Sequence, residues 1–459
     1  MPKKVLLISV NACAAPYPVF PLGLGYLDAA LQRAGHATEW LDLLADKQPL
    51  DAVLASFQPD MIGLSFRNVD DVSIRNQTAF FEPLIKLCRK IRALTPRPII
   101  LGGSGFSIFP VALLEKTGAD FGVIGEAETT MVRLVEALEK NEDVENISGL
   151  VFRSGEKIVA NPPQRAAMDE KIFPQRPARL VEYYLRASGM LNVQTQRGCP
   201  LTCCYCTYPL IEGKTPRRRA PEAVAEEFAQ LQRQGAKYLF IVDSVFNSSR
   251  EHVAGICEAI LKKGVSLKWG CFLRPKNVDD ELAQLMARAG LAHVEFGSDS
   301  FCDSVLDAYG KHFTFEDIVH SQESLQRAGV NTAHFLICGG PEETRETLQA
   351  TYLNSIQLKN PIIFTMVGMR IYPGTPLFKL VEKGKVLGSE ADWLYPRFFI
   401  SPAMTEEGIS EQLQEFSRQS PNWLVGDLPP AFAEIGARLR QKGVVGPLWE
   451  YLKALRAAP

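Results

Sequence analysis

Four of the ten cysteines fall within eight residues, in the string Arg197-Gly198-Cys199-Pro200-Leu201-Thr202-Cys203-Cys204-Tyr205-Cys206. Thiolates spaced x3 and then x2 on one short loop suit three corners of an iron–sulfur cubane, for which thiolate is the usual ligand. Three ligands instead of four leave one iron corner open, as catalytic metal sites keep a position for substrate while structural sites close the shell. The competing reading is a structural zinc with Cys204 as fourth ligand. Adjacent side chains such as Cys203 and Cys204 diverge, so one loop does not easily aim both at a single ion, and no distant CxxC or histidine partner motif appears. The expected ligands are therefore Cys199, Cys203 and Cys206, with Cys204 a packing residue. Cys13, Cys88, Cys257, Cys271, Cys302 and Cys338 lie among apolar neighbours and read as small core residues.

The elements that must carry this loop alternate between strand and helix. From residue 4 to about 140, β-branched runs at Lys4–Val10, Thr38–Leu43, Met61–Phe66, Pro98–Leu101 and Phe121–Ile124 are separated by amphipathic stretches. Five such units predict a flavodoxin/Rossmann-like α/β domain over 1–140, binding its ligand beyond the carboxyl ends of the strands. Residues 141–190 read as a linker: a hairpin around Ser154-Gly155, then an irregular run with Pro162, Pro163, Pro174 and Pro177. Alternation resumes with strands at Leu191–Thr195, Tyr238–Val242, Leu267–Phe272, His293–Gly297, Thr332–Ile337 and Ile363–Arg370. Six units over 191–390 predict a partial (βα)6 barrel whose working face is the carboxyl end of its strands. The cysteine string follows the first of them. The tail, 391–459, reads as helical. Trp269, Trp393, Trp423 and Trp449 are expected to pack and not to form a stacking platform.

Composition narrows the partners. A formal charge of -2, from 50 basic and 52 acidic residues, gives no nucleic-acid footprint. The one basic run, Lys214 to Arg219, is expected to be a loop steering a small anion. No stretch reaches the ~18 apolar residues of a membrane helix, and the run after Lys3-Lys4 breaks at Ser9, too early for a signal peptide. A cytoplasmic protein is expected.

The pattern CxxxCxxC, with an aromatic before its last cysteine and placed at the first loop of a βα barrel, resembles the signature of the radical S-adenosylmethionine (radical-SAM) enzymes. The resemblance implies a [4Fe-4S] cluster whose open iron chelates S-adenosylmethionine, reductive cleavage of that cofactor to a deoxyadenosyl radical, and an external electron donor such as flavodoxin or ferredoxin. By position it assigns Tyr205 to the adenine, Asp243 and Ser244 to the neighbourhood of the methionine group, and Arg274 to the methionine carboxylate. Ser298 and Asp299 would reach the ribose, and Gly339 and Gly340 would let the backbone approach the cofactor. Val242-Asp243-Ser244 stands where the family carries GGE. For each residue a purely local role, binding a neighbouring loop or turning the chain, is the alternative.

Residues 1 to about 390 resemble the cobalamin-binding branch of that family. The resemblance rests on Phe20-Pro21-Leu22-Gly23-Leu24-Gly25-Tyr26, Ile62-Gly63-Leu64-Ser65, Leu101-Gly102-Gly103-Ser104 and Gly125-Glu126. It assigns Gly102, Gly103, Ser104, Gly125, Glu126 and the loop Arg67-Asn68-Val69 to cobalamin. No DxHxxG string offers a histidine to cobalt, so Arg67 is the candidate to face it, a cation that discourages axial coordination. A salt bridge from Arg67 to Asp70 or Asp71 is the equal alternative. The implied function is methyl transfer from methylcobalamin to an unactivated carbon of a small-molecule, lipid or peptide substrate. The alternatives are a cyclase, hydroxylase or rearrangement enzyme with the same cofactors, a polar methylation without the radical, and a non-catalytic metal-binding module.

Overall fold

The computed structural model describes residues 2–11, 13–14, 16–165, 168, 173–383, 393–426 and 430–451. Its first half is organised by β1 (Lys4–Ser9), β2 (Ala37–Asp42), β3 (Met61–Ser65), β4 (Ile99–Gly102) and β5 (Phe121–Val123), which pair in parallel in the order β2-β1-β3-β4-β5. Val5, Leu6, Leu7 and Ile8 are each wholly buried, because the sheet is covered on both faces. Helices Leu22–Arg33 and Glu128–Lys140 cover one face; Leu50–Phe57, Phe81–Leu94 and Pro110–Thr117 cover the other. The winding reverses between β1 and β3, the place where open parallel sheets leave a ligand crevice.

The hairpin β6 (Leu150–Ser154) and β7 (Lys157–Ala160) is a correction to the expected linker. It adds to the same sheet, antiparallel, with Phe121 opposite Phe152. Leu150, Val151 and Phe152 gain a core by covering the edge of β5, which a free hairpin in a linker would lack.

The second sheet holds β8 (Leu191–Val193), β11 (Tyr238–Ile241), β12 (Lys268–Leu273), β13 (Leu291–Asp299), β14 (Asn331–Cys338), β15 (Ile362–Val367) and β18 (Trp423–Val425), every pairing parallel. Two short antiparallel pairs lie outside it: β9 (Gln196–Arg197) with β10 (Arg217–Arg218), and β16 (Met369–Arg370) with β17 (Phe398–Phe399). The six expected strands are present, and the tail adds the seventh. Helix Glu406–Gln419 leads into β18, so the tail is not wholly helical. Three residues are too few to carry an alternating signal in sequence.

The four tryptophans pack as expected, none more than 6% exposed. Trp449 donates to Glu295 Oε1 (3.1 Å) and Tyr238 Oη to Glu450 Oε1 (3.0 Å), tying the end of the chain to the barrel strands. No helix among the described residues is long and apolar enough to cross a membrane.

Candidate functional site

The cysteine loop is held at both ends. β9 and β10 close it, and Gly198 enters it at φ +91°, where a Cβ would lie 2.4 Å from the Thr215 carbonyl oxygen. Only glycine makes that turn without displacing backbone. The amide of Cys199 then donates to Gly213 O (2.9 Å), that of Cys206 to Cys203 O (3.2 Å) and that of Cys204 to Tyr309 O (2.9 Å). Cys199 is buried and Cys203 and Cys206 half-buried. Burial raises all three thiols, Cys206 to about 12, so metal must displace their protons.

Cys204 points elsewhere. Its Sγ meets Met369 Sδ at 3.7 Å, and it packs against the core of the first sheet. No three cysteine, histidine or acidic side chains among the described residues converge on a single-ion site. A cubane asks for something different, one thiolate on each of three irons, and the loop offers three thiols with the fourth turned away.

Around the loop, Tyr205 Oη donates to Asp299 Oδ2 (2.7 Å), which also accepts from Lys311 Nζ (2.7 Å). Asp299 ends β13 at φ +63°. Arg274 donates from Nη2 to His312 O (2.6 Å), and its Nε is buried with no partner. A buried, unsatisfied guanidinium nitrogen beside the cysteines fits an anionic group of a bound cofactor.

Other assigned residues are engaged within the protein. Asp243 accepts from the amides of Thr195 (2.7 Å) and Gln196 (3.2 Å) and from the Thr195 hydroxyl, and burial pushes its carboxyl up to about 7. Ser298 Oγ bonds His334 Nδ1 (2.8 Å) on the buried side of β13. The amide of Gly340 donates to Tyr309 Oη (2.9 Å), and that of Gly339 to Glu343. These four hold the strand ends that surround the loop.

The crevice predicted beyond β1 and β3 is present, and its far wall is the barrel. Gly102, Gly103, Ser104, Gly125 and Arg67 line it from the first domain. Ser104 Oγ donates to Arg67 O (2.9 Å), shaping the loop. Among the described residues the Arg67 side chain makes no hydrogen bond or ion pair. Asp70 is taken by Arg370 (3.0 Å), and Asp71 accepts from the amides of Ser73 and Thr78. The salt-bridge alternative for Arg67 is thereby absent. Val69 is 3% exposed in the core and Asn68 does not reach the crevice wall. Among the described residues no histidine lines the crevice. Asn192 Oδ1, on the barrel side, is a buried acceptor without a donor. An open cradle of glycines, an unpaired cation and an orphaned amide oxygen suit a large ligand rich in amides, as cobalamin is.

Glu126 joins the two halves. It accepts from Arg217 Nη1 (2.7 Å) and Arg197 Nη1 (3.2 Å), one residue on each strand closing the cysteine loop. Burial would raise its carboxyl, and the two guanidinium groups more than reverse that, holding it low. The basic run is thus corrected: Arg217 pairs with Glu126, Arg219 with buried Glu227, and Arg218 bonds Ser248.

Sequence reasoning missed Lys311, Glu212 and Asn192. Glu212 lies in the crevice wall and accepts from Gly198 N (3.0 Å) and Ser244 Oγ (3.1 Å); burial raises its carboxyl. Its position six residues after Cys206 was the available signal. Lys311, over a hundred residues from the cysteines, offered none.

Comparison with known proteins agrees with this arrangement. Residues 8–135 match the B12 binding domain and residues 193–353 the Radical SAM superfamily. The tryptophan 2-C-methyltransferase of Streptomyces laurentii is 26% identical over 447 residues, covering 83% of this chain and 75% of that protein. The cytidylyl-2-hydroxyethylphosphonate methyltransferase of Streptomyces wedmorensis is 25% identical, covering 76% of each. The structure of the radical S-adenosylmethionine methyltransferase TsrM from Kitasatospora setae, with tryptophan and a cofactor analogue bound, superposes with TM-score 0.86 at 24% identity, covering 100% of both chains. At that identity the likeness is one of fold.

Proposed function

We propose, from the premise that this chain belongs to the cobalamin-binding radical-SAM enzymes, that it methylates an unactivated carbon of a small-molecule substrate. The observation that carries the reading is the shared wall: Glu126 of the cobalamin crevice is ion-paired to Arg197 and Arg217, the two strands that close the cysteine loop. Arg197 and Glu212, which flank the cysteine loop, line that same crevice. The relatives named above are all methyltransferases, yet one acts on tryptophan and another on a nucleotide-linked phosphonate. Methyl transfer is what they have in common.

When bound, a [4Fe-4S] cluster supplies the electron that opens S-adenosylmethionine, and cobalamin carries the methyl group. Cys199, Cys203 and Cys206 would hold the cluster, with an external flavodoxin- or ferredoxin-type donor reducing it. Arg274 would bind the methionine carboxylate through its unpartnered Nε. Asp299, fixed by Tyr205 and Lys311, would stand near the ribose. Arg67 would face the cobalt from the crevice, as a permanent cation that is a poor metal ligand. The two domains align the reacting groups and exclude water, and alignment of that kind lowers barriers by ~7–11 kcal/mol.

The test is isotopic. Protein reconstituted anaerobically with iron, sulfide and cobalamin is given methyl-labelled S-adenosylmethionine and candidate substrates, tryptophan among them. Label in a carbon–methyl product supports the proposal; turnover that leaves the label out of product overturns it.

A further inference from the structure

The strands of the second sheet have two unlike faces. On one, Trp269, Cys271 and Leu273 of β12 and Val294 and Phe296 of β13 pack against helices Arg250–Lys262 and Asp280–Arg288. Leu336 and Ile363 pack in the same way against Phe315–Arg327 and Arg345–Ser355. Side chains alternate along a strand, so Phe272, Glu295, Phe335, Phe364 and Met366 share the opposite, inner face. Register sets them side by side, Phe272 with Glu295, Glu295 with Ala333, and Phe335 with Phe364.

This inner face is apolar and yet open. Phe272 and Met366 are each 38% exposed, and Phe335 and Phe364 are half-buried. The rings form two walls. Phe272 meets Phe240 edge-on with ring centres 4.9 Å apart, and Phe335 stacks on Phe364 at 4.9 Å and 10°. Glu295 and the small Ala333 stand between them. Trp449 packs with Ala333 and Ile362 and meets His293 edge-on at 5.3 Å. Tyr17, from the loop after β1, packs with Phe240 and Val242, and Val242 also lines the cobalamin crevice, so the aromatic face adjoins that crevice.

The polar atoms between the walls lack donors. Glu295 Oε1 accepts from Trp449 Nε1 (3.1 Å) and lies 3.8 Å from His293 Nε2, beyond hydrogen-bonding reach. Glu295 Oε2 has no partner among the described residues, and 7% of the side chain stays open. Tyr238 Oη donates to Glu450 Oε1 (3.0 Å), so its contact with His293 Nδ1 (2.5 Å) puts the imidazole hydrogen on Nδ1. His293 Nε2 is left as a buried acceptor without a partner. Unmet acceptors among aromatic rings suit a ligand that brings both a ring and a donor.

We propose that this inner face is the substrate site, and that it takes a planar aromatic compound bearing an N–H donor. The inference deepens the methyl-transfer reading above and rests on it. The ring lies between the Phe272 and Phe364 walls, and its N–H donates to Glu295 Oε2.

Binding, measured without turnover, tests it. Indole and benzofuran have nearly the same shape and differ by an N–H against a ring oxygen. Equilibrium dialysis of each against the anaerobically reconstituted, cobalamin-loaded full chain at pH 8 should show indole held at least about tenfold more tightly. Glu295→Gln keeps the bond from Trp449 through its carbonyl and offers an amide N–H to the ring, so it should abolish that preference. Phe272→Ala, which removes a half-open ring, should weaken indole about two- to tenfold. Equal binding of the two compounds by the parent, binding of neither, or a preference that survives in folded Glu295→Gln overturns the inference. If Glu295→Gln does not fold, Phe272→Ala decides, and unchanged indole binding sinks the proposal. The isotopic experiment separates the two readings. Label found only in compounds without an aromatic N–H refutes this substrate class and leaves methyl transfer intact, whereas the indole preference without any label transfer supports the site and refutes methyl transfer.

Discussion

Arg370 Nε lies 3.0 Å from Asp70 Oδ2, and the pair, 2% and 0% exposed, bolts the loop that carries Arg67 to the strand beyond β15. Arg370 also donates to Ile371 O (2.6 Å) and Trp393 O (3.0 Å), so its fork is fully engaged. Through this contact the crevice loop of the first domain takes its position from the second.

Breaking that pair from one side leaves a buried charge alone. Arg370→Met should cost about 3–5 kcal/mol, and Asp70→Leu combined with Arg370→Met should cost less than the single change. Denaturant unfolding of the three proteins checks the order.

The cysteines should separate by function. Cys203→Ser should lose most of its iron on anaerobic reconstitution and with it the thiolate-to-iron absorption band. Cys204→Ser should keep the parent iron and sulfide content, since its sulfur faces Met369. Equal loss in both variants would contradict the three-ligand assignment.

Arg67→Ala should alter the spectrum of bound cobalamin, with turnover falling alongside. Arg67→Lys keeps the charge and should lie between the two. A spectrum and rate identical to the parent would show that Arg67 does not face the cobalt.

Stability should depend on pH through buried carboxyls. Burial pushes Glu295 up to about 7, opposed by the hydrogen bond from Trp449, and pushes Glu343 up to about 7 as well. In the folded protein each keeps its proton at pH values where the unfolded chain has lost it. Their contribution is therefore present below the ordinary glutamate range, about 4.3, and is lost as pH rises toward 7. Glu295→Gln, whose carbonyl still accepts from Trp449, should flatten the decline between pH 5 and 8 and be the more stable form at pH 8. Unfolding midpoints at the two pH values decide it.

Much of the molecule was legible in one dimension because its signals are local. Strand and helix alternation, the three cysteines and the glycine turns at Gly103 and Gly125 depend on neighbours a few residues away, and their spacing reports them. The hairpin that joined the first sheet and the strand at Trp423 escaped, since both gain their stability from edges contributed by distant chain.

Electrostatic partnership was hidden for the same reason. A run of arginines reads as free charge until Glu126 and Glu227 come to meet it, and Lys311 is anonymous until the fold brings it against Asp299 at the end of β13. Residue type and spacing set which chemistry this chain can perform. Which charges are spent on holding the protein together, and which are left facing the cleft, follows from contacts between segments far apart in the chain, 300 residues in the case of Asp70 with Arg370. Coulomb forces act through space and not along the chain.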